Sequence, residues 1–144
     1  MRSFPVASRL NCRQAEALRL AEPFCIFFMQ INREVALEHV DGDSRLLSDL
    51  ALVFLEDCQQ LTGEICNSIT QGDINLLERT AHTLKGRLAF WGMERERELA
   101  WRLEISGRQG DLAQARQHAA ELERQIRTAI PEFRILADDG GAMF

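Results

Sequence analysis

The sequence predicts an all-α protein: an up-down-up-down antiparallel four-helix bundle with a short leading helix and an N-terminal extension. Apolar residues recur at steps of three and four over most of the chain, and no segment alternates as a half-buried strand would. Short turns rich in Gly and Asp separate the periodic stretches, and helices joined by short turns run antiparallel as neighbours. A chain of 144 residues holds one domain with a core of its own. The expected division is an extension over 1–30, the bundle over 31–136 and a flexible tail over 137–144.

Asn32 is suited to cap a short helix from Arg33 to about Val40, which the turn Asp41-Gly42-Asp43 ends. Asp43 or Ser44 opens a long amphipathic helix. Its stripe runs Leu47, Leu50, Phe54, Cys58, Leu61, Ile65 and Ile69 until Gln71-Gly72 terminates it. Asp73 caps the next helix, with the stripe Ile74, Leu77, Ala81, Leu84, Leu88 and Trp91 and a stop at Gly92. A fourth helix from Met93 to about Ser106 draws apolar surface from Leu99, Leu103 and Trp101, before the turn Gly107-Arg108-Gln109-Gly110. Asp111 caps the last, lined by Leu112, Ala115, Ala119, Leu122, Ile126 and Ile130, and Pro131 is expected to end it or kink it. Near the start, the spacing allows a short helix over 9–21 closed by Pro23. The run from Phe24 to Met29 suits packing against the bundle or a second molecule, though a monomer is favoured.

The net charge of −5 opposes nucleic-acid binding, whose main affinity term is neutralisation of phosphates by a basic face. The longest mainly apolar run, Phe24 to Ile31, falls far short of the roughly 20 residues that span a bilayer, so no membrane association is expected. No signal-peptide apolar region follows Met1-Arg2-Ser3-Phe4-Pro5, which predicts a non-secreted, cytoplasmic chain with reduced thiols. Cys12, Cys25, Cys58 and Cys66 lack Cys-x-x-Cys spacing and a nearby histidine at zinc-ligand spacing, so no metal site is expected. Cys58 and Cys66 are expected to act as small buried hydrophobes on the long helix.

The most informative stretch is 81–92, Ala-His-Thr-Leu-Lys-Gly-Arg-Leu-Ala-Phe-Trp-Gly. At 100° per residue, His82 lies about 130° from the apolar stripe of its helix and should be exposed, with Lys85 on the same flank about 70° off the core. Gly86 points almost directly outward. Glycine inside a helix costs about 1 kcal/mol relative to alanine, so one placed a turn beyond an exposed histidine needs a reason, and close approach of another protein supplies one. Neutral imidazole is a nucleophile. Together these residues suit a reversible phosphoryl carrier, whereas His39 and His118 lack this setting and are expected to be structural or solvated.

The chain resembles histidine-containing phosphotransfer (HPt) domains of multistep two-component relays. The residues that carry the likeness are Ala81-His82-Thr83-Leu84-Lys85-Gly86 with Gly92 closing the helix, Gly42-Asp43, Leu46-Leu47, Phe54-Leu55-Glu56-Asp57 and Gly72-Asp73. Downstream it takes in Leu103-Glu104 and Gly107-Arg108-Gln109-Gly110-Asp111, so that it covers about 31–135. It implies that His82 accepts a phosphoryl group from the aspartyl phosphate of one receiver domain and hands it to an aspartate of another. By the same analogy Lys85 stabilises phosphate charge, Gly86 gives docking clearance and Arg108 supports the phosphate site. No cofactor of its own is implied, Mg²⁺ being expected on the receiver, and no ATP-dependent autokinase activity. Two positions depart from the family. Glu104 stands where some members have a hydrogen-bond-donating glutamine, which leaves its contact with the histidine open. Arg87 stands where a small residue, often serine, is usual.

Three other readings compete. A non-phosphorylated adaptor would bind a receiver or kinase with His82 incidental. A sensor-kinase phosphoacceptor domain also presents a helical histidine, but no glycine-rich nucleotide loop and no proline shortly after His82 is present. A ligand or metal binder lacks convergent polar groups on the inward faces.

Overall fold

A computed structural model describes residues 30–142, which form five α-helices and no strand. They are α1 (Arg33–His39), α2 (Ser44–Gln71), α3 (Ile74–Phe90), α4 (Glu94–Gln109) and α5 (Leu112–Ala142). The helix expected over 9–21, the run from Phe24 to Met29, Cys12 and Cys25 lie outside the described residues.

Side-chain caps start four of the helices, each satisfying backbone N–H groups that have no partner within the helix. Asn32 accepts from the Val35 N–H, Asp43 from those of Arg45 and Leu46, Asp73 from Leu76, and Asp111 from Gln114. Gly72 and Gly110 end α2 and α4 in the left-handed region, with φ of 72° and 74°. Gly92, at φ 65°, is needed for a second reason: a Cβ there would lie 2.5 Å from Cβ of Asn32. The chain entering α1 crosses the end of α3 at that point, and the Asn32 N–H donates to the Trp91 carbonyl at 2.9 Å.

The four long helices pack α2 on α3, α3 on α4, α4 on α5 and α5 back on α2, with α1 laid on α2 and α3. Cross-helix pairs fix directions. Asp57 meets Arg87 while Glu64 meets Thr80, so α2 and α3 run antiparallel. Glu78 meets Arg108 while His82 meets Glu104, so α3 and α4 do too. Leu77, Ala81, Leu84 and Leu88 of α3 and Trp91 at its end are buried, as their spacing predicts.

Several expectations are corrected. Pro131 does not end the last helix: α5 runs on to Ala142, taking in 137–142 of the expected flexible tail. Pro131 leaves the Arg127 carbonyl without its i+4 donor, and core packing beyond it outweighs that loss. Phe133 is completely buried, stacks on Phe54 at 4.2 Å between centroids and meets Trp91 edge-on at 4.9 Å. Burying such a side chain is worth about 1.5–3 kcal/mol and each aromatic pair a further 0.5–1.5 kcal/mol or so. The helix α4 continues through Gly107 and Arg108 to Gln109, where a turn was expected. Trp101, expected to add to the core, is 43% exposed, because it follows buried Ala100 by 100° around the helix. Cys66 is likewise exposed one residue past buried Ile65, whereas Cys58 is buried and its thiol pushed up, first by burial and then by the charge of Asp57.

Gln30, assigned from sequence to the extension, is tied to the helices. Its side-chain amide donates to buried Glu96 at 2.6 Å and to the Gln125 carbonyl, and accepts from Thr128. The Glu132 carboxylate takes the N–H groups of Gln30 and Ile31. Among the described residues no helix is long and apolar enough to cross a membrane.

Candidate functional site

The site begins with a close approach of two helices. Gly107 is buried on α4, and a Cβ added there would come within 3.2 Å of Leu77 on α3. Packing at that distance brings the next turns of the two helices into side-chain reach. One turn before Gly107, Glu104 faces His82 and Lys85; one residue after it, Arg108 reaches Glu78.

His82 projects from the outer flank of α3 with its side chain 67% exposed. Its Nδ1 lies 3.1 Å from Oε2 of Glu104, and Nζ of Lys85 lies 2.8 Å from Oε1 of the same carboxylate. Arg108 completes the cluster, its NH2 group 3.2 Å from Glu104 Oε2 and its Nε donating to Glu78 at 2.8 Å. Glu104 is only 7% exposed at the side chain, so it is the buried anchor on which three exposed or half-exposed basic groups converge. Burial pushes its carboxyl up, but the ammonium of Lys85 and the imidazole of His82 against its two oxygens outweigh that and hold it below the ordinary value.

An ionised carboxylate only accepts hydrogen bonds, so the proton between Glu104 and His82 belongs to Nδ1 of the imidazole. In the neutral ring that proton leaves the lone pair on Nε2, the ring atom on the far side from Glu104. Gly86, one turn along from His82, is exposed, and nothing lies within 4 Å of where its Cβ would be. The arrangement offers an oriented nitrogen nucleophile, beside cations and beneath open space.

The four residues singled out from sequence therefore fall into two groups. His82, Lys85 and Arg108 meet on Glu104, while Gly86 stands clear of them. Glu104 is the residue whose part the sequence left open. The signal for it was the resemblance, which takes in Leu103-Glu104; what left it open was that an ionised carboxylate cannot donate, so it has a part only when a donor such as the Nδ1–H of His82 faces it. His39, at the end of α1, stacks on Phe90 at 4.8 Å and bonds through Nδ1 to the Phe90 carbonyl at 3.1 Å. His118 is half-buried on α5. Among the described residues no group of three or more His, Cys, Asp or Glu is placed to hold a metal ion.

A family model described as the Hpt domain matches residues 49–133. No curated protein and no solved structure matches the chain. The matched span includes all of α3 and α4, and so every residue of the cluster around Glu104. Covering more than half of the sequence, the match shows that the chain belongs to the Hpt domain family, the phosphocarriers of two-component phosphorelays.

Proposed function

We propose that His82 is the phosphorylated residue and that it shuttles a phosphoryl group between aspartates of receiver domains. The observation that carries this reading is the exposed imidazole whose Nδ1 is held by buried Glu104, leaving Nε2 as the nucleophile. Its scaffold is an up-down-up-down bundle of α2 to α5, with α1 as the short leading helix.

In the forward step the Nε2 lone pair attacks phosphorus in line. The N–P bond forms, the acyl O–P bond breaks, and the receiver's aspartate leaves as a carboxylate with the bonding pair. The ring keeps its Nδ1 proton and gains positive charge, which Glu104 balances. Attack by an aspartate of a second receiver reverses the sequence and returns neutral imidazole. Phosphoryl transition states are loose, so alignment and charge neutralisation do most of the catalysis. Lys85 and Arg108 supply cations on the protein side. Both are shared with Glu104, so their part is to offset a local excess of negative charge. A Mg²⁺ ion would be held by the receiver's carboxylates and would add positive charge on that side of the phosphoryl group.

Incubation with a receiver charged by acetyl phosphate tests the reading. The wild-type protein gains acid-labile, alkali-stable phosphate and His82→Gln gains none; equal labelling of the variant would end the assignment. Lys85→Ala slows transfer with helix content unchanged, and an unaltered rate would remove Lys85 from the mechanism.

A further inference from the structure

We propose that the Arg87–Asp57 ion pair, on the α2 side of the docking face, selects which receiver is served. The inference rests on the carrier reading above and adds to it which side chains discriminate among partners. His82, Gly86 and Phe90 follow one another at i, i+4 and i+8, so they form a single line on the surface of α3 about 12 Å long. Gly86 in its middle is open to solvent and has no neighbour within 4 Å that a Cβ would touch. The line is therefore low beside His82 and closes at its far end on the stacked rings of Phe90 and His39.

The two flanks of this line differ. Towards α4, the charges of Lys85, Arg108 and Glu78 are already committed around Glu104. Towards α2, Arg87 donates to Asp57 at 3.0 Å, with side chains 51% and 33% exposed, and Val53 one turn before Asp57 is 50% exposed. An ion pair that exposed contributes about 0–1 kcal/mol to stability, so its polarity can be reversed at little cost to the fold. A partner seated over Gly86 reaches Arg87, the next residue along α3, and with it the ion pair. A receiver fits this face because its phosphorylated aspartate must reach Nε2 while its body rests on the open side. Charges at the rim of such a contact govern encounter rate and reject wrong partners.

The test uses the full chain, the double swap Asp57→Arg/Arg87→Asp, which keeps an internal ion pair of opposite polarity, and Arg87→Ser. Each is first labelled with phosphoramidate, which phosphorylates an accessible histidine without docking, and transfer is then timed to each receiver domain of the source organism. Expected are a melting temperature close to that of the wild type, a transfer rate to the preferred receiver lower by about tenfold in the swap, and an altered order of preference among receivers. Arg87→Ser is expected to blunt the preference. Wild-type rates and order in both variants would overturn the inference while leaving His82 as carrier. A labelled wild-type protein that transfers to no receiver would overturn the carrier reading, and this inference with it.

Discussion

Glu104 and His82 stand one helix apart with 3.1 Å between Oε2 and Nδ1, a buried carboxylate fixing an exposed ring. The bond does more than orient. By calling for a proton on Nδ1, it favours the neutral tautomer that leaves the lone pair on Nε2.

Glu104→Gln should expose that selection. A glutamine amide can turn either its oxygen or its NH₂ towards Nδ1, so the two tautomers become closer in energy. Imidazole nitrogen NMR should show the Nε2–H form gaining population, and labelling by phosphoramidate should slow by about threefold to tenfold, a shift of roughly 1 kcal/mol in one hydrogen bond. An unchanged tautomer ratio would show that Glu104 does not set it.

The same carboxylate should be visible in the acid limb of stability. Its pKa lies below the ordinary value in the folded state, so the unfolded state binds more protons as pH falls. Its stabilisation is complete above the ordinary carboxylate value of about 4.5 and is lost as pH drops through the folded value. Urea denaturation between pH 6 and 3 should therefore show a steeper loss for the wild type than for Glu104→Gln. Parallel curves would place the acid sensitivity elsewhere.

Much of this was legible in the sequence because local chemistry and distant packing agree. Asp43, Asp73 and Asp111 cap helices at the expected places, and the stripe from Leu77 to Trp91 points inward and His82 outward. Legibility failed where a residue type has two uses. Gly107 has a turn former's composition around it but serves as a contact glycine between α3 and α4, and only the facing Leu77 reveals that. Pro131 leaves an end and a continued helix both open, and the buried Phe133 and Leu136 beyond it decide for continuation. Glu104 could not be assigned because a buried carboxylate makes sense only once Lys85 and His82 are known to lie opposite.

Gly86 should trade stability against access. Its surroundings are open and its backbone helical, so Gly86→Ala is expected to stabilise the protein by up to about 1 kcal/mol in chemical denaturation. Gly86→Leu and Gly86→Glu place their Cβ in the same open space, yet their side chains extend to where a receiver would approach. Transfer should fall from glycine through alanine to the larger residues, while phosphoramidate labelling of His82 stays measurable. A transfer rate indifferent to size at this position would show that the partner arrives from another side.

Gln30 decides where a shortened protein must begin. Its amide is the donor to the Glu96 carboxylate, which is 2% exposed, and its backbone N–H is held by Glu132. Removing the side chain leaves a buried acceptor without that bond, at a cost of about 1–3 kcal/mol. Gln30→Ala should therefore lower stability by that amount in urea titration, and a chain starting at Ile31 should be no more stable than the substitution. A chain starting at Gln30 keeps these side-chain contacts and should be more stable than one starting at Ile31; equal stability would show that Gln30 anchors nothing.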